Sequence, residues 1–440
     1  MFPGGCVAER DASPALLAVE RITREESARV VASLIRACDG DFQLAEDAFQ
    51  EALIAAVQHW PATGTPRDPV AWIYTTARRK AIDQLRRART AARTREVLGR
   101  ELAIQSSSGR DDEFPDDDHG HDLGPIADDR LRLIFTCCHP ALALETQVAL
   151  TLKTIARLET GEIAKAFLVS EATMAQRIVR AKRKIRDARI PYAIPRQEHL
   201  EKRLSGVLTV LYLIFNEGYE ATAGDLLLRP ELCSEAVRLA RLVAELLPGT
   251  PEAEGLLALM LLHDARRAAR IDADGDMVTL EYQDRGVWDR AQIGEGIALV
   301  ETALRRRRPG PFQIQAAIAA LHAEPATAAE TDWPQIALLY RELAQYLPNP
   351  IVDLNYAAAV GMAEGPDAGL RLLTDLERDQ TLTGYHLFYA ARADLLRRAG
   401  RDADAHVAYQ QALRQCRNRV EARFLERRLA ETAPGCEELR

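Results

Sequence analysis

Five groups of side chains in this sequence have types and spacing that could do chemistry. The stretch ATMAQRIVRAKRKIRDAR, residues 172 to 189, carries seven Arg or Lys among its last thirteen residues and a single Asp. A second basic run, RRKAIDQLRRARTAARTR, fills residues 78 to 95. Two such stripes suit a polyanion that touches the protein at two places, because clustered Lys and Arg neutralise phosphates and release their counterions. Cys137, Cys138 and His139 are adjacent and carry metal-binding atoms, but neighbouring cysteines do not easily reach one tetrahedral ion and no second Cys/His cluster lies near in sequence, so packing is expected there. His119 and His121 are weaker candidates still. DADGD, residues 272 to 276, has the look of a calcium loop, but the pattern and its terminal Glu are incomplete and a turn is expected instead. No GxGxxG, Walker loop, GxSxG or HExxH occurs, so neither catalysis, a cofactor nor a metal is expected.

The basic stripes stand out because the chain is acidic. Its 440 residues carry a formal charge of -8. Residues 1 to 200 hold 29 basic and 29 acidic side chains, and residues 201 to 440 hold 28 and 36, so the negative balance belongs to the second part. In the first part the charges are segregated, with the acidic run DDEFPDDDHGHD at 111 to 122 between the two basic ones. The bland alternative is that these helices are solvated faces. The length calls for two to four domains. Abundant Ala, Leu and Arg with few aromatics favour helix, and an all-α fold is expected. The seven scattered cysteines read as reduced thiols, no apolar run is long enough for a membrane span, and the N-terminus lacks the pattern of a signal peptide, which together predict a cytoplasmic protein.

The elements that position the basic residues follow from periodicity. Val70, Tyr74, Ala77, Ala81 and Leu85 make one stripe of a helix that starts after the loop PATGTPRDP (61 to 69), leaving Arg78, Arg79, Arg86 and Arg87 mainly off it. Residues 98 to 127 read as an acidic linker: a solvated tether in the simplest reading, a cover for the basic helices or a nucleic-acid mimic in the alternatives. Ile163, Ala164 and Phe167 face inward on a short helix. A turn follows with Ser170 as N-cap, and Met174, Ile178, Ala181 and Ile185 then repeat at helical spacing. Short helix, tight turn and longer basic helix form the helix-turn-helix layout. In that layout Thr173, Gln176, Arg177 and Arg180 meet base edges, and Lys182, Arg183, Lys184 and Arg186 flank the groove. Beyond residue 200, apolar helices succeed one another. Ala358 can be laid on Ala393 and Gly365 on Gly400, both 35 apart, which suggests tetratricopeptide-like helix pairs, with an irregular helical domain as the alternative. RIDADGDMVTLEYQDRGVW (270 to 288) breaks the pattern and suggests a small β-hairpin.

Three motifs, in order, resemble a known family. AEDAFQEALIAA (45 to 56), PVAWIYTTARRKAIDQLRR (69 to 87) and LETGEIAKAFLVSEATMAQRIVRAKRKIR (158 to 186) are similar to the polymerase-docking helix of region 2, the promoter-melting part of region 2, and region 4 of bacterial RNA polymerase sigma factors of the extracytoplasmic-function type. LYLIFNEGYEA (211 to 221), HDARRAARIDADGD (263 to 276) and QDRGVWDRAQIGEG (283 to 296) resemble the extension of a subgroup whose sigma core is fused to a C-terminal tetratricopeptide-like domain. The resemblance implies four parts: region 2 over 20–97, the linker over 98–127, region 4 over 128–192 and the extension over 200–435. It implies that Glu46, Asp47, Gln50 and Glu51 dock on the clamp of the polymerase largest subunit. Trp72, Tyr74, Arg78, Arg79, Lys80, Asp83, Arg86 and Arg87 would act on the minus-ten element, Trp72 having a rival reading as core. Thr173, Gln176, Arg177, Arg180, Lys182, Arg183 and Lys184 would act on the minus-thirty-five element, with region 4 also touching the flap of the second large subunit. Arg79 departs from the Asn of many relatives, and Ala175 from a polar or basic reader. The extension would take a regulatory protein partner, and the protein is expected to be a monomer away from the polymerase. An ordinary DNA-binding regulator with a helical sensor, or a scaffold with incidental basic helices, are the competing readings. A simple repressor has no need of the first two motifs.

Overall fold

The computed structural model describes residues 14–38, 40–101, 126–156, 158–167, 169–221, 226–378, 382 and 384–433. The acidic run at 111 to 122, with His119 and His121, lies outside them. The described residues are helical, with no strand among them. The chain divides into two compact units, 1–207 and 208–440.

The first unit contains α1 (Pro14–Arg21), α2 (Ser27–Ala37), α3 (Phe42–Thr63), α4 (Pro69–Glu101), α5 (Ile126–Cys137), α6 (Leu144–Thr154), α7 (Thr160–Ala166) and α8 (Glu171–Asp187). Capping side chains start the elements that matter. The Asp41 carboxylate accepts the amides of Gln43 and Leu44 at 3.0 and 3.1 Å, and α3 then buries Phe42, Ala45, Ala48, Phe49, Ala52, Ala56 and Trp60 along one face. The helix continues through Pro61 to Thr63 and stops at Gly64, whose φ of +83° ends it, so the expected loop begins three residues late. Asp68 accepts the Ala71 amide at 3.0 Å at the start of α4. Its buried stripe is Ile73, Ala77 and Ala81; Val70, Tyr74 and Leu85 are half-buried at its edges. This helix runs on to Glu101, into the segment expected as linker. α2 packs against α3, α4 and α5.

In α8 the hydroxyl of Ser170 accepts the Thr173 amide at 3.2 Å, and Met174, Ile178, Ala181 and Ile185 are all buried. α6 and α7 pack on that face.

α9 (Gln197–Tyr219) crosses the division between the units. The second unit continues with α10 (Pro230–Leu246), α11 (Pro251–Asp264), α12 (Arg290–Arg305), α13 (Pro311–Ala323), α14 (Trp333–Tyr346), α15 (Pro350–Glu364), α16 (Pro366–Arg378), α17 (His386–Arg398), α18 (Asp402–Gln415) and α19 (Arg419–Glu431). Successive helices pack on one another. Gly365 and Gly400, the residues 35 apart in sequence, both have positive φ (+103° and +72°) and end α15 and α17, so each turns the chain into the second helix of a pair. The hairpin suggested at 270 to 288 is one antiparallel bridge, Ile271 to Met277, and nothing longer. Asp272 explains this: its carboxylate accepts the amides of Asp274 and Asp276, winding the chain into a tight loop, and short helical turns at Leu280–Tyr282 and Arg285–Val287 follow at once.

Candidate nucleic-acid interface

The basic helix α8 presents Thr173, Gln176, Arg180, Arg183 and Lys184 exposed, while Arg177 and Lys182 are half-buried. Arg180 and Lys184 have no ion-pair partner among the described residues. Arg183 is paired only with Asp187 on its own helix, at 3.3 Å with both side chains exposed, a contact that competes weakly with a phosphate. The Thr173 hydroxyl lies 2.8 Å from Ser170 Oγ. Arg177 is held at 3.2 Å by Glu145, with its guanidinium 5.6 Å from the Phe167 ring centroid.

On α4, Arg78, Arg79, Asp83, Arg86 and Arg87 are exposed. Lys80 instead reaches Glu51 at 3.2 Å, and Gln84 donates to the same carboxylate at 2.9 Å. Trp72 stands edge-on to the buried Trp60, with centroids 5.4 Å apart at 67°. It is half-buried, so one part of the indole packs and another remains open.

The four residues expected at the polymerase do not form one free face. Asp47 and Gln50 are exposed, with Asp47 accepting from Gln43 at 2.9 Å. Glu51 is engaged with α4. Glu46 takes Lys182 of α8 at 2.5 Å, with the two side chains only 20 % and 13 % exposed. A residue expected on polymerase and one expected on DNA are thus spent on each other.

Further contacts join the same parts of the chain. Asp129, 1 % exposed, accepts from Ser33 at 3.0 Å and Arg132 at 2.6 Å, and pairs with Arg36 at 3.4 Å. The Tyr192 hydroxyl lies 2.9 Å from the carbonyl of Ala32 and 3.0 Å from that of Asp129, and burial, with Asp129 beside it, raises its pKa. Asp129 and Tyr192 escape sequence reasoning; only an acid inside an otherwise apolar helical stripe hints at the first.

Cys137 and Cys138 are buried, and burial pushes their thiols up, that of Cys138 to about 12. Cys138 Sγ contacts Thr151 Oγ1 at 3.6 Å, and His139 Nδ1 accepts the Ala141 amide at 3.1 Å, so these residues serve packing and turn formation. At DADGD, Asp276 pairs with Arg423 at 2.7 Å and Arg427 at 3.1 Å, so arginines occupy its carboxylate.

The three extension motifs meet inside the second unit. Tyr219 stacks on Phe215 at 5.6 Å and meets His263 edge-on at 5.1 Å. Arg266 donates to the Tyr219 hydroxyl at 3.1 Å and lies 2.9 Å from His263 Nδ1. Arg270 lies 3.8 Å over the Tyr219 ring, and Arg285 4.6 Å from the Trp288 centroid. Burial, then the Arg266 charge, lowers His263 well below the usual histidine range and His322 to about 4, so both are neutral near pH 7. No helix among the described residues is long and apolar enough to cross a membrane.

Three parts of the chain match known families. Residues 24–91 match the model of Sigma-70 region 2, and residues 132–185 that of Sigma-70, region 4. Residues 203–304 match a family of unknown function, DUF6596. An uncharacterised protein of Rhizobium meliloti (strain 1021) is 44% identical over 404 residues, covering 90% of this chain and 93% of its own. No solved structure matches.

Proposed function

Since the chain belongs to the RNA polymerase sigma factors of the extracytoplasmic-function type, with a C-terminal extension, we propose a residue-level account of how it engages the promoter and how it is held idle. The protein directs core polymerase to promoters and initiates transcription. In this account residues 20–97 act as region 2, 98–127 as a tether, 128–192 as region 4 and 200–435 as the extension.

α3 docks on the polymerase through Glu46, Asp47, Gln50 and Glu51. The exposed Arg78, Arg79, Arg86 and Arg87 of α4 follow the backbone of the minus-ten element, with Tyr74, Lys80, Asp83 and the open edge of Trp72 beside the melted bases. Unstacking costs a few kcal/mol per base, which aromatic contact and a basic surface offset. α8 enters the major groove of the minus-thirty-five element with Thr173, Gln176, Arg177 and Arg180, and Lys182, Arg183 and Lys184 take phosphates. The protein needs no chemistry of its own and works where core polymerase is, in the cytoplasm. The extension, built of helix pairs of the tetratricopeptide kind, carries a surface for a regulatory protein.

The observation that carries the idle state is the Glu46–Lys182 pair. Glu46 cannot hold Lys182 and the polymerase clamp together, and Lys182 cannot hold Glu46 and a phosphate together. The compact arrangement and the promoter complex therefore exclude each other, and core polymerase opens the factor by competing for Glu46. Asp129 and Tyr192 support the closed form.

Permanganate footprinting of a complex of core polymerase, this protein and promoter DNA tests the region 2 assignment. Reactive thymines at the minus-ten element are expected with the wild type. They should fade when Arg78 and Arg79 are replaced by Glu, while the bound fraction at low salt persists through α8. Undiminished melting by that variant would refute the assignment.

A further inference from the structure

The second unit contains a cluster of metal-ligating atoms that the promoter account does not use. We propose that the extension binds a zinc-type divalent cation through His386, Cys416 and Glu421, with the Glu220 carboxyl beside them. His386 is the first residue of α17, Cys416 directly follows α18, and Glu421 lies in the first turn of α19. Their donor atoms all lie within 4.8 Å of one another. Nε2 of His386 is 3.1 Å from Oε2 of Glu421, and Sγ of Cys416 is 3.7 Å from that same oxygen. A tetrahedral zinc ion, with bonds of about 2.1 Å to nitrogen and oxygen and about 2.3 Å to sulfur, sets nitrogen–oxygen and sulfur–oxygen edges of roughly 3.4 and 3.6 Å. The sulfur–oxygen edge agrees with this, and the nitrogen–oxygen edge is about 0.3 Å short of it.

Two further features point to a shared ion. His386 Nε2 is buried and has no hydrogen-bond partner, although the Glu421 oxygen is so near. The Glu220 carboxyl contacts the Glu421 carboxyl. A divalent cation there would displace the proton that the hydrogen bond between the two carboxyls requires.

The backbone around the cluster is fixed before any ion arrives. Asn418, fully buried, caps α19 by accepting the Val420 amide at 2.9 Å, and donates to the carbonyls of Ala221 and Leu226, both at 2.9 Å. This ties the α18–α19 turn to the chain just beyond Glu220. Glu220, His386 and Glu421 line a cavity of about 750 Å³, and Glu220 is exposed within it, which supplies an entry path.

Thiolate, imidazole and carboxylate together favour zinc over magnesium or calcium, which take oxygen ligands. On binding, the Cys416 thiol gives its proton to solvent and the sulfur–metal bond forms, with no change in oxidation state. The ion would clasp the last three helices to one another. This inference is independent of the promoter account.

The test uses the untagged full chain, stripped with a chelator and titrated with Co²⁺. One equivalent should bind with the strong visible absorption of tetrahedral cobalt and a thiolate charge-transfer band, and one equivalent of Zn²⁺ should bleach both. Cys416→Ser should lose the charge-transfer band. His386→Gln should weaken binding at least about tenfold, since loss of even an outer partner costs about 10–100-fold. Circular dichroism of metal-free wild type and variants should coincide, which separates lost ligation from lost folding. Absence of a tetrahedral cobalt spectrum in the wild type would overturn the proposal, as would a charge-transfer band that survives Cys416→Ser.

Discussion

Replacing Lys182 by Met removes the charge of the Glu46–Lys182 pair but keeps most of the volume of the side chain. The closed form then holds Glu46, 20 % exposed, beside an apolar chain with its partner gone. A hydrogen bond between charged groups contributes about 1.5–3 kcal/mol. Partial exposure of both side chains argues for the middle of that range, about 2 kcal/mol, after screening. At 1.4 kcal/mol per tenfold, that shifts the closed-to-open balance by about 25-fold. Binding to core polymerase without DNA reports the shift directly, because only the open form offers Glu46 and apparent affinity scales with the open fraction. Lys182→Met should therefore bind core more tightly, by up to about 25-fold. Glu46→Gln relieves the same pair but also removes a docking group, so it should gain less or lose. The measurement is a titration of core polymerase into labelled full-length protein at one salt concentration. Unchanged or weaker binding by Lys182→Met would refute the idea that this pair restrains the factor.

Three other perturbations test separate parts of the account. Arg180→Ala should weaken promoter binding by the holoenzyme evenly across minus-thirty-five variants if it meets phosphate, lowering the slope of log affinity against log salt by about 1, or selectively by about 1–3 kcal/mol if it reads a base; affinity measured over a salt series distinguishes these, and no effect of either kind refutes the groove assignment. Gly218→Ala places a Cβ 2.7 Å from the Cys233 amide nitrogen, within one of the extension motifs, and should destabilise the second unit by about 1–3 kcal/mol in thermal unfolding. His322 is held near 4 in the folded chain against 6.5 when unexposed to these neighbours, so the unfolded chain takes up the proton first as pH falls. Stability should therefore drop between about pH 6.5 and 4, by at most about 3 kcal/mol, and His322→Gln should flatten that part of the melting-temperature profile.

Local periodicity made much of this fold legible. Met174, Ile178, Ala181 and Ile185 are buried as their spacing requires, and Ser170 caps the helix they define. Gly365 and Gly400 mark helix ends because only a residue without a side chain takes their backbone angles cheaply. Local signals misled where a side chain competed with the backbone pattern: Asp272 winds its own loop, so Val278, Leu280 and Tyr282 never pair as a strand. Pairing across the chain was not legible. Glu46 and Lys182 are 136 residues apart, and each alone reads as an ordinary exposed charge. The cluster proposed to take a cation is illegible in the sequence for a similar reason. His386, Cys416 and Glu421 come from the ends of different helices, and Glu220 lies some 200 residues earlier, so no ligand spacing betrays them. Composition placed the negative balance beyond residue 200 but gave no hint that residues on α3 and α8 would occupy each other.

Run-off transcription from a library of upstream fragments, with purified core polymerase and with or without this protein, shows whether the chain confers promoter specificity. The account predicts new start sites that appear only with the protein and share two spaced upstream elements. No new transcripts, together with tight and selective promoter binding by the protein alone, would contradict it.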